Sequence, residues 1–567
     1  MITLKIQTMQ NLLKIFDSKK KFIAIFGIFF AATIIRFVGL KWGLPTDKIP
    51  HFPFHPDERW AFDVLSTINW ETLSLNPPQA HREGTMNFYM ISAFLTLLKA
   101  IGVIQVLPHE VRTYSSQYGE IIYFGRFLVA ALDLLSGFVL FKALRLISRS
   151  WHVPLLGASV FLFFPFEAIH AHFMRSHNLV NFFLTFVIYF SMKYWKTENL
   201  RFLFFAGIFA GFAMATKYPA GISVLIPFFI FIEKIIMAGK FRWKTFINKQ
   251  FFKTGLGLLF TLFVGFFLAD PYLFTHYSSA SPALNLEISY AAQKEFSITE
   301  FFNLKKIFVY LTHLIPIGSL PLLWVLIYTS FAYCVWRIRQ IRIVSAVIAT
   351  GILYLFFMAK GYLNHPIFAR PYLFLVPLFS VVVFFALEDF VTKFRSIKIQ
   401  SVAFCASWIV VAFSFLYSLS YVSAMAKEDS RIGLFHFLRE EFKTTNAVVK
   451  VGVYLDNANY FITTPTIEIL ETQKKVALTI VPPFEVPQKD IQFIVLRSFN
   501  PLAGQNTENF FSVEQQAANL LNTGEFEVVR KFENALTFFS KFYSVENYPL
   551  DMQYPFVNIW VLKRISM

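Results

Sequence analysis

The sequence predicts a mainly α fold: a polytopic membrane helical bundle of about eleven full spans plus juxtamembrane helices, followed by a C-terminal extracytoplasmic α/β domain. Three observations carry this. Of 567 residues, 56% are hydrophobic and only 15% charged, with a mean hydropathy of +0.53, beyond the shares of ordinary globular domains. Apolar runs recur at roughly 17–25 residues, the length a helix rising ~1.5 Å per residue needs to cross ~30 Å of hydrocarbon. Alternating apolar segments appear only after residue 425.

The first run, "KFIAIFGIFFAATIIRFVGL", is too long for a signal-peptide core and lacks a small-residue cleavage site, so it is read as a retained anchor. Lys5, Lys14, Lys19, Lys20 and Lys21 precede it, opposed only by Asp17. The positive-inside rule therefore places the N-terminus in the cytoplasm. The next loop, 42–85, carries Asp47, Asp57, Glu58, Asp63, Glu71 and Glu83 against Lys48, Arg59 and Arg82, consistent with the opposite side.

Further spans fall at 121–147, 154–172, 178–195, 202–218, 220–238, 254–270, 309–336, 343–359, 368–388 and 400–424. Basic clusters around Arg145, Lys196, Lys244, Arg339 and Arg395 share one face only if 86–106 is not a single complete crossing. "MNFYMISAFLTLLKAIG" is thus a juxtamembrane or re-entrant helix, a pair of tight crossings being the alternative of equal parity. The outer face then collects 42–120, 172–178, 217–220, 270–308, 360–368 and the C-terminal part. There, "VVKVGVYL", "KVALTIV", "IQFIVLRS", "FEVVRKFE" and "VNIWVLKR" read as strands, with helices near 431–442 and 510–521. The chain divides into a transmembrane domain, 1–425, whose outer loop at 42–120 is where catalytic residues are to be sought, and a soluble domain, 426–567.

A formal charge of +17 is explained by basic loops between spans, which excludes nucleic acid as the expected partner. Cys334 and Cys405 both lie in apolar runs, so no disulfide framework or cysteine metal cluster is available. Neither a Walker P-loop nor a dinucleotide glycine fingerprint is present.

Chemistry has few places to go. "FHPDERW" sets Asp57 and Glu58 at the start of a helix, where acids also serve simply to complement the helix dipole. At a membrane surface the same acids suit a general base or a hard-cation ligand. "HAHFMRSHN" gathers His170, His172, Arg175, His177 and Asn178 between two spans, either a metal- or anion-binding rim or interfacial residues with wet tips. Lys217, Asp270 and the stretch from Lys360 to Arg370 sit at outer span ends, where snorkelling is the default reading. Cations converging beside an acidic pair are what holding a phosphate leaving group near a base requires.

In order, "HPDE", "HREGTMNFYM", "YFGRFLVAALDLLSGFVLFKALRLISR", "FFPFEAIHAHFMRSHNLVNFFL", "GIFAGFAMATKYPAG" and "ARPYLFLVPL" resemble the GT-C fold integral-membrane glycosyltransferases. Within these the likeness is to the protein mannosyltransferase and aminoarabinose transferase-like superfamily. The resemblance implies a polyprenyl-phosphate sugar donor used outside the cell membrane, an extracytoplasmic glycolipid, polysaccharide or protein acceptor, and inversion at the anomeric carbon. Asp57 falls on the family's catalytic acid and Glu58 on its support. Arg126, Arg175, Lys217, Lys360, Arg370 and Tyr372 are the implied substrate- and phosphate-binding residues. A divalent metal ion, with Asp57, Glu58, His172 and His177 as its ligands, is left open, because Asn178 stands where relatives often carry Asp. The competing classes are a transporter or flippase of lipid-linked glycans, for which inverted repeats are missing, and a scaffold whose outer domain binds a partner.

Overall fold

The protein is described by a computed structural model covering residues 2–51, 53–237, 249–292, 320–362, 370–394, 396–441, 449–454, 476–481, 490–498, 513–533 and 558–565. Helices dominate up to residue 441: α1 (Ile2–Phe37), α2 (Pro56–Leu65), α3 (Met86–Ala100), α4 (Ser116–Arg145), α5 (His152–Leu162), α6 (Pro165–His170), α7 (Ser176–Thr197), α8 (Leu200–Thr216) and α9 (Leu225–Met237). They continue with α10 (Lys249–Ala269), α11 (Tyr272–Thr275), α12 (Tyr277–Ala292), α13 (Pro321–Trp336), α14 (Arg342–Tyr362), α15 (Leu375–Lys393), α16 (Ile397–Met425) and α17 (Ser430–Glu441).

Five helical segments among the described residues are long and apolar enough to cross a membrane: Ser116–Arg145, Tyr218–Met237, Phe251–Ala269, Leu375–Lys393 and Ile397–Glu441. Several other expected spans are shorter, and one is broken. The run 154–172 divides into α5 and α6 because Phe164, preceding Pro165, takes the extended conformation that a following proline imposes. The segment 86–106 forms one helix of 15 residues rather than two tight crossings. The part of the 309–336 run before residue 320 lies outside the described residues.

Apolar side chains that face outward mark the lipid side. On α1, Phe22, Phe26 and Phe30 are more than half exposed, whereas Ala32, Ile35 and Arg36 are buried against the bundle. On α10, Leu256, Leu259, Phe260 and Phe263 are exposed at helical spacing. Where α10 crosses α8, glycines let the backbones touch: a Cβ on Gly211 would lie 2.3 Å from Leu262 O, and one on Gly265 2.2 Å from Ile208 O.

A buried polar seam joins four helices at the bundle's centre. Arg36 Nε donates to Asp133 Oδ2 at 2.6 Å, Asn178 Nδ2 donates to Asp133 Oδ1 and Glu167 Oε1 at 3.0 Å each, and Asn181 Nδ2 donates to Glu167 Oε2 at 2.8 Å. Asn178 is thereby committed to interior packing, not to a metal.

After α17 come five strands, β1 (Val449–Tyr454), β2 (Val476–Val481), β3 (Phe493–Ser498), β4 (Phe526–Phe532) and β5 (Asn558–Arg564), with α18 (Val513–Leu521) between β3 and β4. The sheet order is β2-β1-β3-β5-β4; β1 pairs in parallel with β2 and β3, while β5 pairs antiparallel with β3 and β4. Period-2 alternation sorts its two faces. Phe493, Val495, Ile559 and Val561 join the core that contains Leu434 and Phe435 of α17, and Ile494, Leu496, Trp560 and Leu562 pack with Ala517 and Leu520 of α18.

Candidate active site

Pro56 starts α2 with its φ already helical, so Asp57 and Glu58 occupy the first turn. Adjacent residues on a helix point about 100° apart, and the two acids have separate fates. Glu58 is fully buried and grips Arg126 through two parallel bonds, Nε to Oε1 at 2.8 Å and Nη2 to Oε2 at 2.5 Å. Met174 N–H donates to the same Oε1 at 2.8 Å. Arg126 Nη1 donates to the carbonyls of Leu40 and Trp42, both at 2.7 Å. These bonds join the loop after α1 to α2, α4 and the turn before α7. Such a pair, with both charges desolvated and hydrogen-bonded, organises backbone and offers no free charge to a substrate.

Asp57 points the other way, 30% exposed at its side chain, onto Arg370 Nη1 and, at 3.4 Å, Arg175 Nη2. Arg175 is the N-cap of α7, in extended conformation, and its guanidinium continues to Glu83 Oε1 at 2.9 Å while lying over the Trp60 ring at 5.5 Å. Glu83 accepts a bond from Ser176 Oγ at 2.7 Å and faces Lys217 Nζ at 3.6 Å. Lys217 Nζ also lies 2.8 Å from His177 Nε2. Burial raises the Asp57 carboxyl, but Arg175 and Arg370 outweigh it and hold the group well below the usual carboxylate range. Glu83 follows the same logic: burial raises it, while Arg175, Lys217 and the Ser176 bond bring it down to about 2.

Local sequence explains how these groups meet. Lys217 sits just past α8 in an extended conformation, and a 3-10 turn with Pro219 near its start follows it. Gly84 has φ of +137°, and a Cβ there would stand 2.1 Å from Ala215 O. Only glycine lets the Glu83 turn lie against the end of α8, where Tyr218 N–H donates to Glu83 O at 3.3 Å. Thr85 Oγ1 ties the same turn to Ala269 O at 2.7 Å.

The structure thus brings together Asp57, Arg175, Lys217 and Arg370 and sets Glu58 and Arg126 behind them. Tyr372 is half-buried against the main core. Lys360 belongs to α14, and its side chain lies outside what is described. Glu83, Ser176 and Trp60 belong to the cluster without having been expected in it; the sequence signal for Glu83 was an acid followed directly by glycine in "HREG".

The expected metal ligands do not fit a metal. Glu58 is saturated by Arg126 and Met174, and Asp57 is bracketed by guanidinium groups. Both ring nitrogens of His172 are held by carbonyls, Nδ1 by Ala168 O at 2.8 Å and Nε2 by Val38 O at 2.7 Å. His177 faces an ammonium. Among the described residues no group of three or more His, Cys, Asp or Glu side chains could hold a metal ion.

Among the described residues, three cations of the cluster face two carboxylates, a surplus of positive charge. Guanidinium and ammonium groups set beside carboxylates in this way are chemically able to bind an anion. No protein-family model matches the chain, and no curated protein does. Solved structures similar to it include sugar transferases. One is the S. cerevisiae protein O-mannosyltransferase Pmt1-Pmt2 complex bound to the sugar donor, 16% identical over 46% of this chain and 34% of that one, TM-score 0.35. Another is the Archaeoglobus fulgidus oligosaccharyltransferase AglB in complex with an inhibitory peptide and a dolichol-phosphate, 8% identical over 97% and 89%, TM-score 0.46. The apo form of the A. fulgidus oligosaccharyltransferase matches at 9% identity over 96% and 88%, TM-score 0.41. The chain spans about a third of the mannosyltransferase chain it matches.

Proposed function

We propose that the protein is a multi-pass membrane glycosyltransferase that moves a sugar from a polyprenyl-phosphate donor to an extracytoplasmic hydroxyl acceptor, with Asp57 as general base. One observation carries the reading: Asp57 meets Arg370, 313 positions later, together with Arg175, in a partly exposed cluster that Lys217 completes through Glu83.

The geometry suits an ordered reaction. With two guanidinium groups upon it, Asp57 is a weak base. The donor phosphate competes for Arg370 and Arg175, and as they turn to it the carboxylate regains basicity. Asp57 then takes the acceptor's hydroxyl proton, the acceptor oxygen bonds to the anomeric carbon from the face opposite the phosphate, and the bond from that carbon to the phosphate oxygen breaks. Its electron pair leaves with the polyprenyl phosphate, whose new charge Arg370, Arg175 and Lys217 neutralise. Glu83 holds Arg175 and Lys217 at their spacing. Glu58 and Arg126 fix α2.

The test is incubation of purified protein with radiolabelled polyprenyl-phosphate sugars and a membrane extract. Transfer of label from donor to acceptor is expected, and Asp57→Asn should lower turnover by about 10²–10⁴-fold at unchanged abundance and melting temperature. An Asp57→Asn protein that transfers label normally removes Asp57 from the chemistry; a wild type that consumes no phosphosugar removes the reaction.

A further inference from the structure

The turn between α16 and α17 closes onto the loop after α1 through polar contacts that the proposed chemistry does not use. Asp429, 4% exposed, accepts Arg431 Nε at 2.7 Å and Nη2 at 2.8 Å, and also the indole Nε1–H of Trp42 at 2.8 Å. Arg431 is fully buried and spreads over the rings of Phe54, at 3.8 Å, and Trp42, at 5.4 Å. Phe54 immediately precedes the N-cap of α2. It is held close to the loop by Gly43, where a Cβ would come within 2.7 Å of the Phe54 side chain.

From Trp42 the contacts run directly to the acidic pair, since its carbonyl accepts from Arg126, which grips Glu58 beside Asp57. At the other end, α17 is seated on the sheet. Gly433 lies so close to Phe532 that a Cβ would be 2.8 Å from that ring. Phe437 also meets Phe532 with centroids 6.2 Å apart, and Glu441 pairs with Lys563 at 3.2 Å. Apolar side chains would close a buried turn at lower desolvation cost than an ion pair does. What directional bonds add is register: a guanidinium fork, a carboxylate and an indole N–H meet in one arrangement.

We propose that Arg431 is a positioning residue: through Asp429, Trp42 and Phe54 it transmits the placement of the C-terminal sheet to the helix start that carries Asp57. The acidic site is then assembled only when α17 is docked. This rests on contacts alone and holds whatever reaction Asp57 serves.

The test is hydrogen–deuterium exchange on the full-length protein in lipid nanodiscs, following amides from Phe54 to Phe62. Arg431→Met should raise exchange there by about tenfold, with α4, α7 and β3–β5 unchanged. Arg431→Lys, which keeps a cation over Phe54, should restore part of the protection. Lys450→Met, which removes only the exposed pairing of Lys450 with Asp490 on the same sheet, should leave these amides as in the wild type. Trp42→Phe deletes a single N–H with the ring shape kept, so it decides the matter should Arg431→Met loosen the whole protein. Unchanged exchange from Phe54 to Phe62 in Trp42→Phe, or an equal rise in Lys450→Met, overturns the proposal. Failure of sugar transfer leaves this readout untouched.

Discussion

Asp57 and Glu58 are one peptide bond apart and do opposite work. Glu58 faces inward, where losing its charge strands Arg126 among carbonyls; Glu58→Gln should cost about 3–5 kcal/mol, read as a lower denaturation midpoint. Asp57 faces the cluster, and its basicity is set by neighbours. Removing one cation lets its pKa rise, and a base must be ionised to act, so Arg370→Met should move the acid limb of the kcat/KM profile to higher pH. A limb that stays in place would separate Arg370 from Asp57. For Glu83 the sign concerns stability. Its folded value, about 2, lies below the ordinary 4.5, so its contribution is complete above about 4.5 and is lost as pH falls through about 2. Glu83→Gln should flatten the melting-temperature profile across that window. Sequence exposed the acidic pair but not this division of labour, because the phase of a helix at its first turn is decided by what packs behind it.

Among elements, the crossing of α8 and α10 sets the geometry of the site, since Lys217 follows the end of one and Ala269, which accepts from Thr85, ends the other. Gly211→Ala puts a methyl 2.3 Å from Leu262 O. We expect a loss of about 1–3 kcal/mol, with sugar transfer falling more than stability because Lys217 is displaced. Strands were legible from alternation alone, and all five occupy the segments where "VVKVGVYL" through "VNIWVLKR" place them. Spans were less so. Hydropathy cannot see that Phe164 must leave the helix before Pro165, nor that Pro219 leaves a 3-10 turn before α9.

At the scale of the molecule, the cluster depends on contacts between residues 57, 175, 217 and 370, and no local pattern announces such pairings. The resemblance read from the order of the fragments suggested them, and the geometry then added Glu83 and engaged the candidate metal ligands with other partners. Sidedness is open to direct measurement. With the native cysteines replaced, Thr523→Cys, beside β4, should be labelled by an impermeant thiol reagent applied to intact cells, and a cysteine placed at Lys19 should not. The surplus cation of the cluster has one more effect. Under the proposed function, transfer would turn a phosphodiester into a phosphomonoester, which carries extra negative charge, so a site that welcomes a loaded carrier would cling harder to an empty one. Departure of the spent lipid, not bond making, would then pace the cycle, and the first turnover would outrun all that follow.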